Sequence, residues 1–275
     1  MSVSQILNTS FSDRDLDFLV GTVSPEIKDK YRLRQIIVQD KDFRNKFVGD
    51  EKVFRRVIDD DEILLKISPI LFFEILLRKT TQDLGRSSYT YEKSSTLRIP
   101  IFDSQNLVSL LSNDSILIYL AYMLSTFTRV ESYTFSFRIR DGIWHKIRFN
   151  DMDIHNLIRF SQSVKGEYRI GLYKRIADVC LFILGIFPEY IEREYRYPLS
   201  DKIRPQIPGK LRVSPEKYEE EGRNFYKLAS ECLISIDEKT SEVFGNLHEH
   251  FEKAKKPLNF LAEHYLQYRK FRVFE

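Results

Sequence analysis

Three long apolar runs dominate the hydrophobic pattern of this chain: ISPILFFEILL (67–77), ILIYLAYMLSTF (116–127) and IADVCLFILGIF (176–187). Each run is shorter than the roughly 20 residues that a membrane-spanning helix needs. Apolar runs of this kind, without a polar face, are typical of helices buried on all sides. We therefore predict three central helices. Ser68-Pro69 supplies a capping hydroxyl and a proline for the first turn of one, and Pro188 stops the last.

Amphipathic segments, with apolar residues three and four apart, surround these runs and predict further helices. Four such helices are predicted. The first runs from Ser24 to about Val38, a short second begins at Asp40 or Asp42, a third runs from Asp103 or Ser104 to Leu111, and a fourth from Asp151 or Asp153 to Val164. Extended segments are few: TLRIPI (96–101), where Pro100 favours a sheet edge, and a hairpin at 133–149. The predicted fold class is mainly α, a helical bundle around three buried apolar helices with a small antiparallel β-hairpin or sheet.

The segment FSFRIRDGIWHKIRF (135–149) alternates apolar and polar residues on both sides of Asp141-Gly142, which is a strong hairpin signal. A three-residue loop from Arg140 to Gly142 gives one face that is apolar except for His145, whereas a two-residue loop mixes charges into both faces. We therefore predict the three-residue loop, with Arg140 at the tip. This register pairs Ile139 with Ile143, Phe137 with His145, Phe135 with Ile147, and Tyr133 with Phe149.

The opposite face of the predicted hairpin is basic and holds the one tryptophan of the chain. Its residues are Thr134, Ser136, Arg138, Trp144, Lys146 and Arg148. Two interpretations stay open for this face. In the first, Arg138 stacks on Trp144 and the face is solvated or packs on a neighbouring segment. In the second, the cations bind a nucleic-acid backbone and the indole stacks on a base.

The character of the chain changes after the third apolar run. From 195 to 214 there are three prolines and no helical period, which predicts a loop, and the wider stretch 193–217 has seven basic against three acidic residues. Beyond it, Ser214-Pro215, Asp237 and Pro257 each open a predicted helix with one apolar stripe. We predict a main helical domain at 1–194, a Pro-containing basic loop at 195–214, and a three-helix segment at 215–275 that docks on the main domain.

Composition and charge exclude few classes of function. Hydrophobic residues make up 43% of the chain and aromatic residues 13%, which is typical of a globular protein. The net charge of +3 is mild, so any binding of nucleic acid has to rest on a local patch. Cys180 and Cys232 lie in predicted helices as small buried hydrophobic residues, which excludes a disulfide framework and fits the cytoplasm. The first residues do not resemble a signal peptide, and we expect no membrane partner.

The sequence contains no Gly-rich phosphate loop, no nucleophile elbow, no dinucleotide fingerprint and no HExxH motif. We therefore predict no cofactor and no metal site, and the sequence names no catalytic residue.

Two carboxylates are nevertheless unusual, because Glu74 and Asp178 interrupt two of the most apolar helices. Burial of a carboxylate is costly unless the group is paired. Arg78 lies four residues after Glu74, and Lys174 and Arg175 lie four and three residues before Asp178, so local ion pairs are the structural interpretation. The functional alternative is a pair of carboxylates in one pocket that act as acid and base.

Four segments, ISPILFFEILLRK, YLAYMLSTFT, RIADVCLFILGIFPEYI and EEGRNFYKLAS, resemble parts of a family of uncharacterised, mainly α-helical prokaryotic proteins. The resemblance extends over most of the chain. It implies a helical fold and carries no activity, cofactor or partner.

These patterns together predict a non-catalytic intracellular protein that acts by binding or regulation through the basic-aromatic hairpin face. The expected partner is single-stranded nucleic acid or another protein. The alternative is a small-molecule enzyme or sensor with a pocket among the buried helices near Glu74 and Asp178, so enzymatic activity stays open. The residues expected to contact the partner are Arg138, Arg140, Trp144, Lys146 and Arg148.

Overall fold

The computed structural model of the protein is mainly helical. It describes residues 11–87, 90–94, 97–101, 103–128, 132–140, 143–150, 152–164, 168–189 and 214–274. In the four strands and at Tyr168 and Tyr268, only the backbone is described. The chain divides into two compact units, Met1–Thr126 with Glu263–Gln267, and Phe127–Ala262 with Tyr268–Glu275.

The N-terminal unit is built from eight helices and one strand pair within its described residues. The helices are α1 (Asp13–Val23), α2 (Lys30–Gln39), α3 (Lys41–Val48), α4 (Glu51–Asp59), α5 (Ile63–Lys66), α6 (Pro69–Arg86), α7 (Ser104–Ser112) and α8 (Asp114–Ser125). Strands β1 (Thr90–Ser94) and β2 (Leu97–Ile101) form an antiparallel pair in which Tyr91 is opposite Pro100.

Helix α6 is the centre of this unit, as the first apolar run predicts. Its residues 71–77 are all buried, and it packs against α3, α4, α7 and α8. The hydroxyl of Ser68 accepts a hydrogen bond from the Leu71 amide, and Pro69 occupies the first turn, which confirms the predicted start. Asp15, 1% exposed, accepts the Ser68 amide at 2.7 Å and also closes a capping box with Ser12 at the start of α1. One buried carboxylate thus fixes the starts of two helices.

The second unit is built around α10 (Tyr168–Ile186), which contains the third apolar run. The other elements of the unit are the strands β3 (Ser132–Arg140) and β4 (Ile143–Asn150) and the helices α9 (Ile154–Ser163), α11 (Pro215–Leu233), α12 (Glu238–Glu249), α13 (Phe251–Leu261) and α14 (Lys270–Val273). A π-helix (Ala262–Leu266) and a 3-10 helix (Gln267–Arg269) lie between α13 and α14 in sequence, and their residues Glu263–Gln267 belong to the N-terminal unit. Helix α10 packs against α9, α11 and α13. Because α10 is apolar on all sides, exposure of its surface to water would be unfavourable, and the helices α11 and α13 of the C-terminal segment cover it.

Close backbone approach positions the helices around α10. A Cβ atom added at Gly222 in α11 would lie 2.5 Å from the ring of Phe251 and 3.0 Å from Cβ of Cys180. A Cβ atom added at Gly185 in α10 would lie 2.7 Å from Cβ of Leu258 in α13. The side chain of Asn259 donates to the carbonyl oxygens of Leu184 and Gly185 at 2.9 and 2.7 Å, which satisfies the last turn of α10 in place of a glycine cap.

Several predicted boundaries are wrong. The helix predicted from Ser24 to Val38 begins only after Asp29, whose carboxylate caps α2, and α1 precedes it. Helix α8 begins at Asp114, two residues before the apolar run at 116–127, and the side chain of Asn113 caps it. Pro257 does not open a helix but lies inside α13, where the burial of its neighbours outweighs the loss of one backbone hydrogen bond.

The predicted domain at 1–194 also differs from the two units, which divide at Thr126 and Phe127. The three apolar helices are buried, but α6 and α8 belong to the first unit and α10 to the second. The predicted loop at 195–214 lies outside the described residues except for Ser214, the cap of α11. Within the described part of the chain, no individual helix combines the length and apolar character needed to cross a membrane, although α7 and α8, bent by 88°, meet that test as a pair.

Candidate functional site

The backbone of β3 and β4 carries the five residues that we expected to contact a partner. The two strands are antiparallel, and the register pairs Thr134 with Arg148, Ser136 with Lys146, and Arg138 with Trp144. Phe137 is opposite His145, Phe135 is opposite Ile147, and Tyr133 is opposite Phe149, as the predicted register has them. Because residues directly opposite each other share one face of an antiparallel pair, Arg138, Trp144, Lys146 and Arg148 occupy positions on the same face.

The predicted register is wrong at the end of the strand pair. Arg140, not Ile139, is opposite Ile143, and the register shifts between Arg138 and Arg140. An extra residue in one strand is a β-bulge, which allows β3 to run through Arg140 and β4 to begin at Ile143. Arg140 is therefore part of β3 rather than the tip of a three-residue loop. The side chains of both strands lie outside the described residues.

The carboxylate of Glu74, in α6, is fully buried and bound by two arginines. Nη2 of Arg44 lies 2.6 Å from Oε2, and Nη2 of Arg78 lies 2.9 Å from Oε1. The structural interpretation of Glu74 is confirmed, because the pair with Arg78 is the predicted local pair four residues apart. Arg44 comes from α3, thirty residues away in sequence, so the second half of this arrangement is a tertiary contact.

The network around Glu74 continues to Asp114 at the start of α8. Arg78 donates to Asp114 at 3.3 Å and to the side-chain oxygen of Asn45 at 2.6 Å, and Asn45 donates to Asp114 at 2.9 Å. Lys41 lies 3.2 Å from the same carboxylate. Burial alone raises the pKa of Asp114, but the Asn45 hydrogen bond and the charges of Arg78 and Lys41 outweigh it and lower this pKa overall. The network joins α3, α6 and α8.

The carboxylate of Asp178, in α10, is also fully buried and bound. Nζ of Lys174 donates to Oδ2 at 2.6 Å, and the buried hydroxyl of Tyr226 in α11 donates to Oδ1 at 2.9 Å. The pair of Lys174 with Asp178 is one of the two local pairs that the spacing allowed. The Arg175 guanidinium lies over the ring of Phe127, 4.0 Å from its centroid. Removal of the Lys174 charge alone would leave the buried Asp178 carboxylate less well compensated, which is destabilising.

The two cysteines differ from each other. Cys180 is fully buried, and burial together with the nearby charges of Glu221 and Asp178 raises the pKa of its thiol. It is a protonated core residue, as predicted. Cys232, at the end of α11, is exposed, so the prediction of a buried residue is wrong there. Both cysteines are free thiols.

Sequence reasoning found the two buried carboxylates and one partner of each. It missed Arg44, Asn45 and Asp114 around Glu74, and it missed Tyr226 beside Asp178. These residues are separated from their partners by 30 to 69 positions, and no local periodicity links them. A basic residue facing inward on a short amphipathic helix, such as Arg44 on α3, was the one usable signal.

A surface depression lies elsewhere in the first unit, among the described residues. It is wide open, and it is lined by Arg56 and by the acidic run from Asp59 to Glu62. Neither Glu74 nor Asp178 lines it. Among the residues with described side chains, no group of three or more histidine, cysteine, aspartate or glutamate residues is arranged to bind a metal ion.

Comparison of the chain with known proteins does not indicate a family. No family model, no curated protein and no solved structure matches the chain.

Proposed function

We propose that this protein is an intracellular binding protein, and that the face of the β3–β4 pair bearing Arg138, Trp144, Lys146 and Arg148 binds single-stranded nucleic acid. The observation that carries the proposal is the backbone register, which has Arg138 opposite Trp144 and leaves Lys146 and Arg148 at the next two alternate positions of β4. Three cationic positions and an indole position thus follow one another along a single face.

The chemistry of these residue types fits a single strand. Lysine and arginine bind phosphate oxygens and release condensed counterions, which provides affinity without reading sequence. An indole stacks on any base, because every base has an aromatic face. In a duplex the bases are already stacked on each other, so the indole contributes mainly to binding of single strands.

The register shift next to Arg140 supports the inclusion of this residue in the proposed nucleic-acid-binding site. A β-bulge increases the local twist and re-aims a side chain, and bulges are over-represented at sheet edges and next to active sites. Arg140 is proposed as a fourth phosphate contact. The two free thiols are consistent with a reducing, intracellular compartment, which the proposal assumes.

Two alternatives rest on weaker observations. A small-molecule enzyme or sensor would need Glu74 or Asp178 to reach a ligand, but each carboxylate already accepts hydrogen bonds from two different side chains. A protein partner would use the same hairpin face, and the binding experiment distinguishes it from nucleic acid.

The experiment is a fluorescence titration of the folded chain with a labelled thymidine oligonucleotide of about 12 nucleotides, at several salt concentrations. Four cations neutralise at most four phosphates, so the log–log salt slope from this face should be no steeper than about −3 to −4. Trp144→Ala should weaken binding by about 1–3 kcal/mol, and Trp144→Phe, which keeps an aromatic ring, by less. Replacement of Arg138, Arg140, Lys146 and Arg148 by alanine should remove most of the salt dependence.

A charge-matched control separates this face from the overall charge of the protein. Lys46, Lys52, Lys227 and Lys239 are exposed, and their replacement by alanine changes the net charge by the same amount. This control should keep most of the affinity and most of the slope. The proposal fails if folded wild-type protein does not bind at low salt, or if the control loses as much affinity as the hairpin variant. A face that binds no nucleic acid would point to a protein partner.

A further inference from the structure

We propose that the segment Ala262–Gln267 is a releasable strap, which the side chain of Tyr265 anchors to the N-terminal unit. The chain trace motivates the proposal. Residues Glu263–Gln267 belong to the N-terminal unit, whereas the residues before and after them, up to Ala262 and from Tyr268, belong to the other unit. These five residues thus belong to a different unit from the residues that flank them in sequence.

The backbone of the strap departs from regular geometry at two neighbouring places. Ala262–Leu266 forms a π-helix, and a 3-10 helix follows at Gln267–Arg269. Gln267, the first residue of the 3-10 helix, has φ of 26°, a positive value that a residue with a side chain rarely adopts. Isolated π-turns and positive φ angles persist only where the surrounding contacts hold them. The geometry therefore requires an anchor.

Tyr265 supplies that anchor through contacts inside the N-terminal unit. Its hydroxyl donates to Oδ2 of Asp83 at 2.7 Å, and its ring meets Phe54 edge to face with centroids 5.1 Å apart. Nζ of Lys79 lies 3.1 Å from Asp83 and 2.9 Å from Glu51, which holds the accepting carboxylate in place. Burial and the adjacent Asp83 raise the pKa of Tyr265, so its hydroxyl remains a donor.

The chain on both sides of the strap is fixed within the second unit. Leu258 and Leu261 are fully buried in α13. On the far side, Nζ of Lys270 donates to the carbonyl oxygen of Ile186 at 2.9 Å and pairs with Glu189, and the ring of Phe274 meets that of Phe182 at 5.0 Å. Because both flanks are held, the strap opens as a local event of a few residues and needs no unfolding of either unit.

The test is amide hydrogen exchange measured by mass spectrometry on the full chain, with peptides that cover 258–274. Tyr265→Phe keeps the ring and removes only the hydroxyl. A hydrogen bond to a charged group is strong enough that its loss should speed exchange of the strap by about 10-fold to 100-fold. Exchange of α6, which carries Asp83, should stay unchanged.

Two further variants make the result specific. Tyr226→Phe removes a tyrosine–aspartate hydrogen bond in the second unit and should not speed exchange of the strap selectively. Asp83→Asn should speed it by a smaller factor, since an amide oxygen still accepts, and should add little in the Tyr265→Phe background. Unchanged exchange of the strap in Tyr265→Phe, or an equal increase in Tyr226→Phe, would overturn the proposal.

Discussion

Asp114 illustrates, at the scale of one residue, how the buried network couples stability to pH. The pKa of this carboxyl group is lowered in the folded protein from its ordinary value of 3.8, so the native state binds the proton less readily than the unfolded chain does. The contribution of Asp114 is therefore fully present above this ordinary value and is lost as pH falls through the folded pKa.

The variant Asp114→Asn keeps the size of the side chain and removes its charge. Urea unfolding at a series of pH values should show that wild type is more stable than the variant near neutral pH. The difference should shrink as the pH falls below about 4, because wild-type Asp114 is then being protonated.

Asp42 offers the matched control for this pH prediction. It also lies in the first turn of a helix, α3, but it is exposed. Asp42→Asn should therefore change stability less than Asp114→Asn near neutral pH, since exposed charges interact weakly. A gap between wild type and Asp114→Asn that stays constant across this pH range would contradict the assignment.

At the scale of elements, α10 carries two glycines with opposite environments. Gly171 is exposed and has nothing within 4 Å of the place a Cβ would take, so Gly171→Ala should raise the free energy of unfolding by about 0.5–1 kcal/mol through helix propensity. The same change at Gly185 should lower it by about 1–3 kcal/mol, because the new methyl group collides with Leu258. Denaturation midpoints of the two variants measure the expected increase in stability for Gly171→Ala and the expected decrease for Gly185→Ala. Stabilisation by Gly185→Ala would mean that α13 does not approach α10 so closely.

The apolar runs made the long helices predictable, while their ends and neighbours were much less so. Ser68 and Pro69 encode a helix start locally, and the structure has it there. Pro257 follows the same local rule but lies inside α13, where the buried residues Ala254, Leu258 and Leu261 hold the helix together. Local signals therefore fail where tertiary burial contributes more than the local preference.

The candidate site was predictable to a similar extent. The alternation around Asp141-Gly142 led to the pairing of Phe137 with His145, and the same register aligns Arg138 with Trp144. The shift next to Arg140 was not foreseen, because an extra residue in a strand leaves no pattern of its own. Tyr226 binds Asp178 only because α10 and α11 pack together, so composition and spacing carry no trace of this pair. For Arg44 the sequence offered one signal, its position on a short amphipathic helix, which did not identify Glu74 as its partner.

At the scale of the whole molecule, each unit has its own apolar centre and its own buried ion pair. Glu74, with Arg44 and Arg78, lies on α6 in the N-terminal unit, and Asp178, with Lys174, lies on α10 in the other. A unit with its own core can in principle unfold alone. Loss of one of these ion pairs should therefore destabilise mainly the unit that contains it.

Glu74→Ala and Asp178→Ala test this independence as a matched pair. Each substitution removes the buried carboxylate that its cationic partners bind and should destabilise its unit by about 3–5 kcal/mol. Hydrogen exchange should then accelerate in α6 and α8 for Glu74→Ala, and in α10 and α11 for Asp178→Ala, with little change in the helices of the other unit. Equal acceleration of both sets in either variant would mean that the units unfold as one cooperative body. An unchanged exchange of α10 in Asp178→Ala would mean that the bonds from Lys174 and Tyr226 do not hold α10 and α11 together.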